Sequence, residues 1–353
     1  MKREYKETLS GLKIKSEKMK CVVIGPTEQT KKCLLEIVKH VEVSALFTIK
    51  KEHTAKKSRS VDFESIAQKH GFEIHTDDLK DPNAANIMRS YKPDVLFTFG
   101  DSRIIPKEIL EIAPLGCIGS HGGPLPDIKG GATMNWAIIL GEKKWGVSLF
   151  YLVEKVDEGD IIGNERFDIT EDDTIETVHA KSDEGILKLL KQILPKIGKE
   201  KIETTKNVLV KHRYQLRDKE ASNDEIIKWN NDVKAWYYAH KNDGPLFLPL
   251  RRPMDGLIDW RRPAKEIYDW IRAQTHPFPG ALALLDDKKI SVWKAQYSMT
   301  NIKDLAPGEA AQAEGKVIVG TGEGNIMLQS VQEEGGKEED GTRFAGKKFY
   351  VPA

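Results

Sequence analysis

The sequence predicts an α/β protein in two parts, a mainly parallel sheet covered by helices and then a small antiparallel β-barrel. Three observations carry this. From residue 20, short apolar runs alternate with amphipathic stretches of helical spacing. After residue 116, two longer runs alternate in polarity around an acidic, glycine-containing loop. After residue 280, short β-like runs parted by glycine turns replace the helices.

KCVVIG (20–25) reads as a buried strand, and KKCLLEIVKH (31–40) as a helix with Cys33, Leu34, Ile37 and Val38 on one face. VSALFTI (43–49) is the next strand, and VDFESIAQKHG (61–71) a helix that Gly71 stops. FEIHT (72–76), a helix over 83–91 and the strand DVLFTFG (94–100) follow, with Pro93 closing that helix. Strands joined through helices lie parallel, with right-handed crossovers.

GCIGS then leads to His121, and GATMNWAIILG (131–141) reads as a helix. WGVSLFYLV (145–153) and DIIGNERFDI (160–169) read as paired strands around the loop EKVDEGD (154–160). Asp173 and Glu176 resemble a capping box opening a long helix that Pro195 ends. Residues 206–256 read as a helical linker with a long loop, and 258–275 as a helix broken by PFPG (277–280). ALALL, KISVWKA, GKVIVG and GNIMLQSVQ supply barrel strands. The expected divisions are a flexible extension at 1–19, a first domain at 20–205, a linker at 206–256 and a second domain at 257–353.

Composition bounds the function. With 353 residues, 39% hydrophobic, 31% charged and a net charge of +1, no global field recruits nucleic acid or a membrane. No apolar run reaches the roughly 18 residues of a membrane helix. Cys21, Cys33 and Cys117 form no CxxC and no zinc spacing, which fits a reducing cytoplasm and a site without metal. The basic N-terminus has no apolar core, so it does not read as a secretory signal. The first strand-to-helix turn, IGPTEQT, lacks GxGxxG, which sets aside a nicotinamide dehydrogenase.

His121 is the candidate around which chemistry can be built. It ends a strand where open α/β sheets bind ligands, and Gly119, Gly122 and Gly123 bring bare backbone beside it. A carboxylate from the acidic loop could orient the ring and stabilise its cation. No Ser or Cys nucleophile motif accompanies the pair, which points to direct proton transfer. On the residues alone, His121 stays open between a catalyst and a satisfied structural histidine.

The run GCIGSHGGPLPDIKGGATMNWAIILGEKKWGVSLFYLVEKVDEGDII resembles the core of the folate-dependent formyltransferases. That family includes methionyl-tRNA formyltransferase, glycinamide ribonucleotide transformylase and the sugar N-formyltransferases. His121, Leu125, Pro126, Gly130, Trp136, Gly146, Val147, Asp157, Gly159, Asp160 and Ile161 fall on its pattern. RRPMDGLIDW and IRAQTHPFPGAL extend the resemblance, so that it covers about 20–353.

The resemblance implies a Rossmann-like catalytic domain, a C-terminal OB-like barrel and N10-formyltetrahydrofolate as co-substrate. It makes His121 the general acid/base and Asp157 its orienting partner. It places the folate against Phe99, Gly100, Asp101, Ser102, Val156 and Asp157. Gly122, Gly123 and Lys129 are implied to face the acceptor, as are Arg251 and Arg252, whose paired guanidinium groups suit a diphosphate. The departures are specific. Gly119 stands where the family's triad has an Asn donor, Gly122 and Gly123 replace Pro-Ser, and Lys129 replaces an Arg. Asn135, or backbone N–H groups near His121, are the candidates for the missing donor.

The local pattern leans to the sugar branch. There the acceptor is the amine of a UDP- or dTDP-linked amino-dideoxy sugar in lipopolysaccharide or other glycan biosynthesis, and the enzymes are often homodimers. Residues 301–353 carry six Lys and Arg against nine Asp and Glu, which disfavours a tRNA-binding tail. The basic stretch KKEHTAKKSRS (50–60) argues the other way. Methionyl-tRNA therefore stays open as an acceptor. So does a non-catalytic relative that binds folate or sugar nucleotide, which Gly119 would explain.

Overall fold

The computed structural model describes residues 18–54, 58–286, 288–299, 302, 304–313 and 315–352. The 1–19 extension lies outside the described residues except for 18 and 19, as do 55–57 of the basic stretch.

The first domain runs β1 (Lys20–Ile24), α1 (Glu28–Ile37), β2 (Glu42–Phe47), α2 (Lys51–Thr54), α3 (Glu64–His70), β3 (Glu73–His75), α4 (Pro82–Ser90), β4 (Val95–Thr98), α5 (Lys107–Leu110) and β5 (Cys117–His121). It continues through β6 (Ile128–Gly130), α6 (Thr133–Ile139), β7 (Lys144–Tyr151), β8 (Ile161–Asp168) and α7 (Ile175–Ile193). Seven strands form one sheet in the order β3-β2-β1-β4-β5-β7-β8. The pairs from β3 to β5 are parallel, and β7 and β8 are antiparallel additions. Gly71 ends α3 in the left-handed conformation, at φ 74°, as the sequence suggests.

Strand alternation sorts the side chains onto two faces. Cys21, Val23, Val95, Phe97, Phe99 and Ile118 share one core with Leu34 and Ile37 of α1 and Ile186, Leu190 of α7. Val22, Ile24, Leu96 and Cys117 share another with Ala84, Ala85 and Met88 of α4 and Ile109 of α5. By the same alternation Thr98, Gly119 and His121 belong to this second face, at its carboxyl edge. The long helix opens at Thr174, whose reciprocal cap partner is Thr177. This corrects the expected Asp173–Glu176 box. Asp173 instead accepts from the Thr170 N–H at 2.7 Å and pairs with Lys181 at 2.6 Å.

The expected linker is a docked element. It contains β9 (His212–Arg213), α8 (Asn223–His240) and β10 (Leu246–Leu248), and β10 lies between β6 and β9 in a parallel three-stranded sheet. Trp229, Val233 and Tyr237 of α8 share a core with Trp136, Ile138 and Ile139 of α6. Apolar spacing along α8 drives this docking, so 206–256 is part of the cavity wall and no loose tether.

The second domain holds α9 (Ala264–Arg272), then β11 (Ala281–Leu285), β12 (Lys288–Ser298), β13 (Ala310–Ala313), β14 (Lys316–Gly320), β15 (Asn325–Glu333) and β16 (Glu338–Glu339). Its antiparallel sheet runs β11-β12-β15-β14-β13, with β16 on β15. α9 is shorter than the expected 258–275, because Pro263 caps it and Leu257 bridges to Leu282. Ile267 and Ile271 of α9 join Ile290, Val292, Val317, Val319, Ile326 and Leu328 in one core. Trp260 packs there too, stacked on Phe349 at 5.4 Å.

Candidate active site

The carboxyl edge of the seven-stranded sheet opens into a cavity of about 1040 Å³. Its walls come from the segments after β1, β4, β5 and β7, from the docked element and from 274–280 of the second domain. His121 sits in this cavity with 9% exposure. Asp157 Oδ1 lies 3.5 Å from its Nδ1, and the Ile128 carbonyl 3.1 Å from its Nε2. Both ring nitrogens thus face oxygens. A ring carrying two protons satisfies both contacts, and a neutral ring satisfies one.

The surroundings hold this pair in place. Asp157 Oδ2 accepts the Gly130 N–H at 2.9 Å. Asp157 itself is left-handed, at φ 57°, and Asn207 Nδ2 donates to the carbonyls of Asp157 and Gly159 at 2.8 and 2.9 Å. Position 123 must be bare: a Cβ there would lie 2.8 Å from His121 Nε2 and 2.9 Å from the Ile128 carbonyl. The turn is pinned from β7, since Trp145 Nε1 donates to the Gly122 carbonyl at 2.9 Å and Ser148 Oγ accepts the Leu125 N–H at 2.8 Å.

The remaining expected residues divide. Gly100, Asp101, Ser102, Val156 and Gly122 line the cavity. Asp101 is tied to Arg103, which also donates to the Thr48 carbonyl at 3.1 Å, fixing the loop after β4. Phe99 does not line the cavity: alternation turns it into the α1–α7 core, stacked on Phe97 at 6.0 Å. Gly123 lies behind His121 and outside the lining.

Lys129 is also turned away from the cavity. It is wholly buried, its Nζ donates to the Val208 carbonyl at 2.7 Å, and burial lowers its pKa. Asn135 lines the cavity, but its Nδ2 is engaged by the Ala273 carbonyl at 2.8 Å. One of its two Nδ2–H donors therefore joins α6 to the second domain, a structural role the sequence did not suggest.

Arg251 lines the cavity between Trp136 and Trp270, 4.6 Å from each ring centroid. It donates to Gln274 Oε1 at 2.9 Å, and burial pushes its pKa down to about 10. It also donates to the Asp255 carbonyl and, at 3.4 Å, to Asn230 Oδ1, so three of its hydrogen bonds serve the fold. Arg252 lines the cavity with one donor on the Arg217 carbonyl at 3.2 Å. Arg213, which the sequence did not single out, lines it as well and stacks on Phe247 at 3.6 Å.

A second polar cluster faces the cavity from the α7 side. Asp183 is fully buried and accepts from Gln29 at 3.2 Å, Lys32 at 2.9 Å and Arg59 at 2.5 Å. Arg59 also donates to His179 Nδ1 at 2.9 Å, and Phe278 stacks on that ring at 5.6 Å. Burial, and then Arg59, push the His179 pKa down to about 3. Gln29 accepts from Ser120 at 2.7 Å, so this cluster reaches the residue next to His121. No spacing in the sequence joins Gln29, Arg59 and His179.

Burial raises the pKa of Cys21, Cys33 and Cys117, so the thiols remain protonated. Among the described residues no cluster of three or more His, Cys, Asp or Glu could hold a metal, and no helix is long and apolar enough to cross a membrane.

Residues 19–194 match the formyl transferase family and residues 251–348 its C-terminal domain. The chain belongs to the formyl transferase family. It is 35% identical over 212 residues to the bifunctional polymyxin resistance protein ArnA of Wigglesworthia glossinidia brevipalpis. That match covers 60% of this chain and 27% of ArnA, so the chain spans about a quarter of that relative's length.

Two solved structures share the fold. HypX from Aquifex aeolicus in complex with tetrahydrofolic acid matches with a TM-score of 0.60 and 18% identity, over 93% of this chain and 47% of HypX. An N-formyltransferase from Helicobacter canadensis, in complex with folinic acid and dTDP-3-aminofucose, matches with a TM-score of 0.55 and 17% identity. That alignment covers 88% of this chain and 98% of the other.

Proposed function

We propose that the protein transfers the formyl group of N10-formyltetrahydrofolate to the amine of a UDP- or dTDP-linked amino-dideoxy sugar, in glycan biosynthesis. The observation that carries this is the His121–Asp157 pair, set in a large cavity at the carboxyl edge of a formyltransferase sheet. The amine lone pair forms a bond to the formyl carbon as the carbonyl π pair moves onto oxygen. When that pair returns, the carbon–N10 bond breaks and its electrons go to N10, which takes a proton while the amine loses one. His121 lines the cavity and can carry that proton, and Asp157 orients the ring and favours its cation.

Arg213 and Arg252 are the guanidinium groups best placed for the diphosphate. The tRNA reading loses support from the basic stretch. Its Arg59 is paired with Asp183, and its Lys51 lies 3.2 Å from Asp62 and 3.7 Å from Glu64. The test is tetrahydrofolate release with UDP- and dTDP-linked amino sugars by the wild type and His121→Asn. Turnover that disappears in His121→Asn supports the proposal. Folate binding without turnover on any sugar returns weight to another acceptor or to a silent binder.

A further inference from the structure

Formyl transfer places negative charge on the formyl oxygen, and catalysis needs donors aimed at that charge. The cavity near His121 offers few. Position 119 has no side chain, and none fits without movement. A Cβ there would lie 2.2 Å from Leu152 Cδ1 and 2.9 Å from Thr98 Cγ2. Asn135 Nδ2 is held by Ala273, Ser120 Oγ donates to Gln29 on the other face, and Thr133 Oγ1 donates to the Gly122 carbonyl at 2.7 Å.

Thr98 differs from all of these. In the β4–β5 register it is the direct partner of Gly119, so alternation puts its side chain on the face that carries His121. It lines the cavity and is 7% exposed. Among the described residues its hydroxyl has no hydrogen-bond partner, and it is not one of the orphaned atoms sealed from the cavity. As a β-branched residue at a strand end it is stiff about χ1, which suits a preorganised donor.

We infer that the Thr98 hydroxyl donates to the developing oxyanion of the formyl group, a task for which position 119 has no side chain. The donor has moved one strand across the sheet, from β5 to β4. This rests on the formyl-transfer reading above.

The experiment compares Thr98→Val, which keeps the shape and loses the hydroxyl, with Thr98→Ser, which keeps the hydroxyl. Three readouts are taken on the full chain. They are tetrahydrofolate release from N10-formyltetrahydrofolate with water or amino-sugar nucleotides as acceptor, the Kd of 10-formyl-5,8-dideazafolate, and the carbonyl stretch of that analogue labelled with 13C in its formyl group. Thr98→Val should lose on the order of 10²-fold in kcat. Its Kd should stay within about twofold and its carbonyl stretch should rise, as expected when a hydrogen bond is lost. Thr98→Ser should retain most of kcat and the wild-type band. Wild-type kcat and an unmoved band in Thr98→Val overturn the inference while leaving formyl transfer standing. A wild-type chain that binds no formyl-folate defeats both, and shows it before any variant is made.

Discussion

Two histidines face one cavity with opposite neighbours. His121 has a carboxylate 3.5 Å from Nδ1 and a carbonyl 3.1 Å from Nε2. His179 has a guanidinium 2.9 Å from Nδ1 and a phenyl ring over its face. The first sets an oxygen against each ring nitrogen, and the second keeps the ring neutral, with its pKa down to about 3. Residue type alone does not decide which ring is suited to carry a proton; the charge beside it does. Asp183, next to His179, is saturated by three donors, whereas Asp157 holds one backbone N–H and leaves an oxygen toward His121. The saturated cluster reads as scaffold, and the less saturated pair as chemistry.

Breaking the comparison at His121 should have the largest effect. His121→Asn should fold, bind formyl-folate and lose at least about 10³-fold in kcat, measured by tetrahydrofolate release. Asp157→Asn should lose less, about 10²-fold, since the ring remains but its cation loses a charged neighbour. Asn207→Ala should cost about tenfold in kcat by freeing the left-handed Asp157 backbone, with thermal stability little changed.

His179→Gln sharpens the contrast. Because His179 is neutral across the working range, its loss should leave the pH–rate profile above pH 5 unmoved. A shifted limb there would mean that the wrong histidine carries the proton. The smallest effect is on stability. Burial opposes ionisation of Asp173, but hydrogen bonds from Lys181, Thr170 and Thr177 prevail and hold its pKa at about 2. A carboxylate whose folded pKa is depressed contributes stability above its unfolded pKa and loses it as pH falls through the folded value. Asp173→Asn should therefore be less stable than wild type near neutrality, by about 2 kcal/mol or less, and the gap should close between roughly pH 4 and pH 2 in denaturant titrations.

Much of the first domain was legible because its signal is periodic. Buried parallel strands show as apolar runs and their helices as one-sided stripes, and both survive without tertiary knowledge. The docked element was not legible. β9 has two residues and β10 three, too short for alternation to register, and the pairing of β10 with β6 and β9 is made in space.

The site was readable where one residue ends a strand and unreadable where partners come from afar. His121 and Asp157 stand on a motif. Asn207 reaches Asp157 across 50 residues, and His179 reaches Arg59 across 120. The misplacement of Phe99 is different, since the needed signal was present. If Phe97 faces one layer, Phe99 faces it too, and Thr98 is the side chain left for the cavity. Lys129 was expected to face the acceptor because it stands where the family pattern has an Arg. Here its aliphatic stem is buried and its amine holds the Val208 carbonyl.

The most direct measurement follows the formyl group itself. N10-formyltetrahydrofolate labelled with 13C in the formyl carbon is incubated with wild-type protein or His121→Asn and with dTDP- and UDP-linked amino sugars, and the products are read by NMR and mass. Wild type should give an N-formyl resonance on the sugar, and His121→Asn should give none above background. Equal labelling by both proteins would contradict the role of His121.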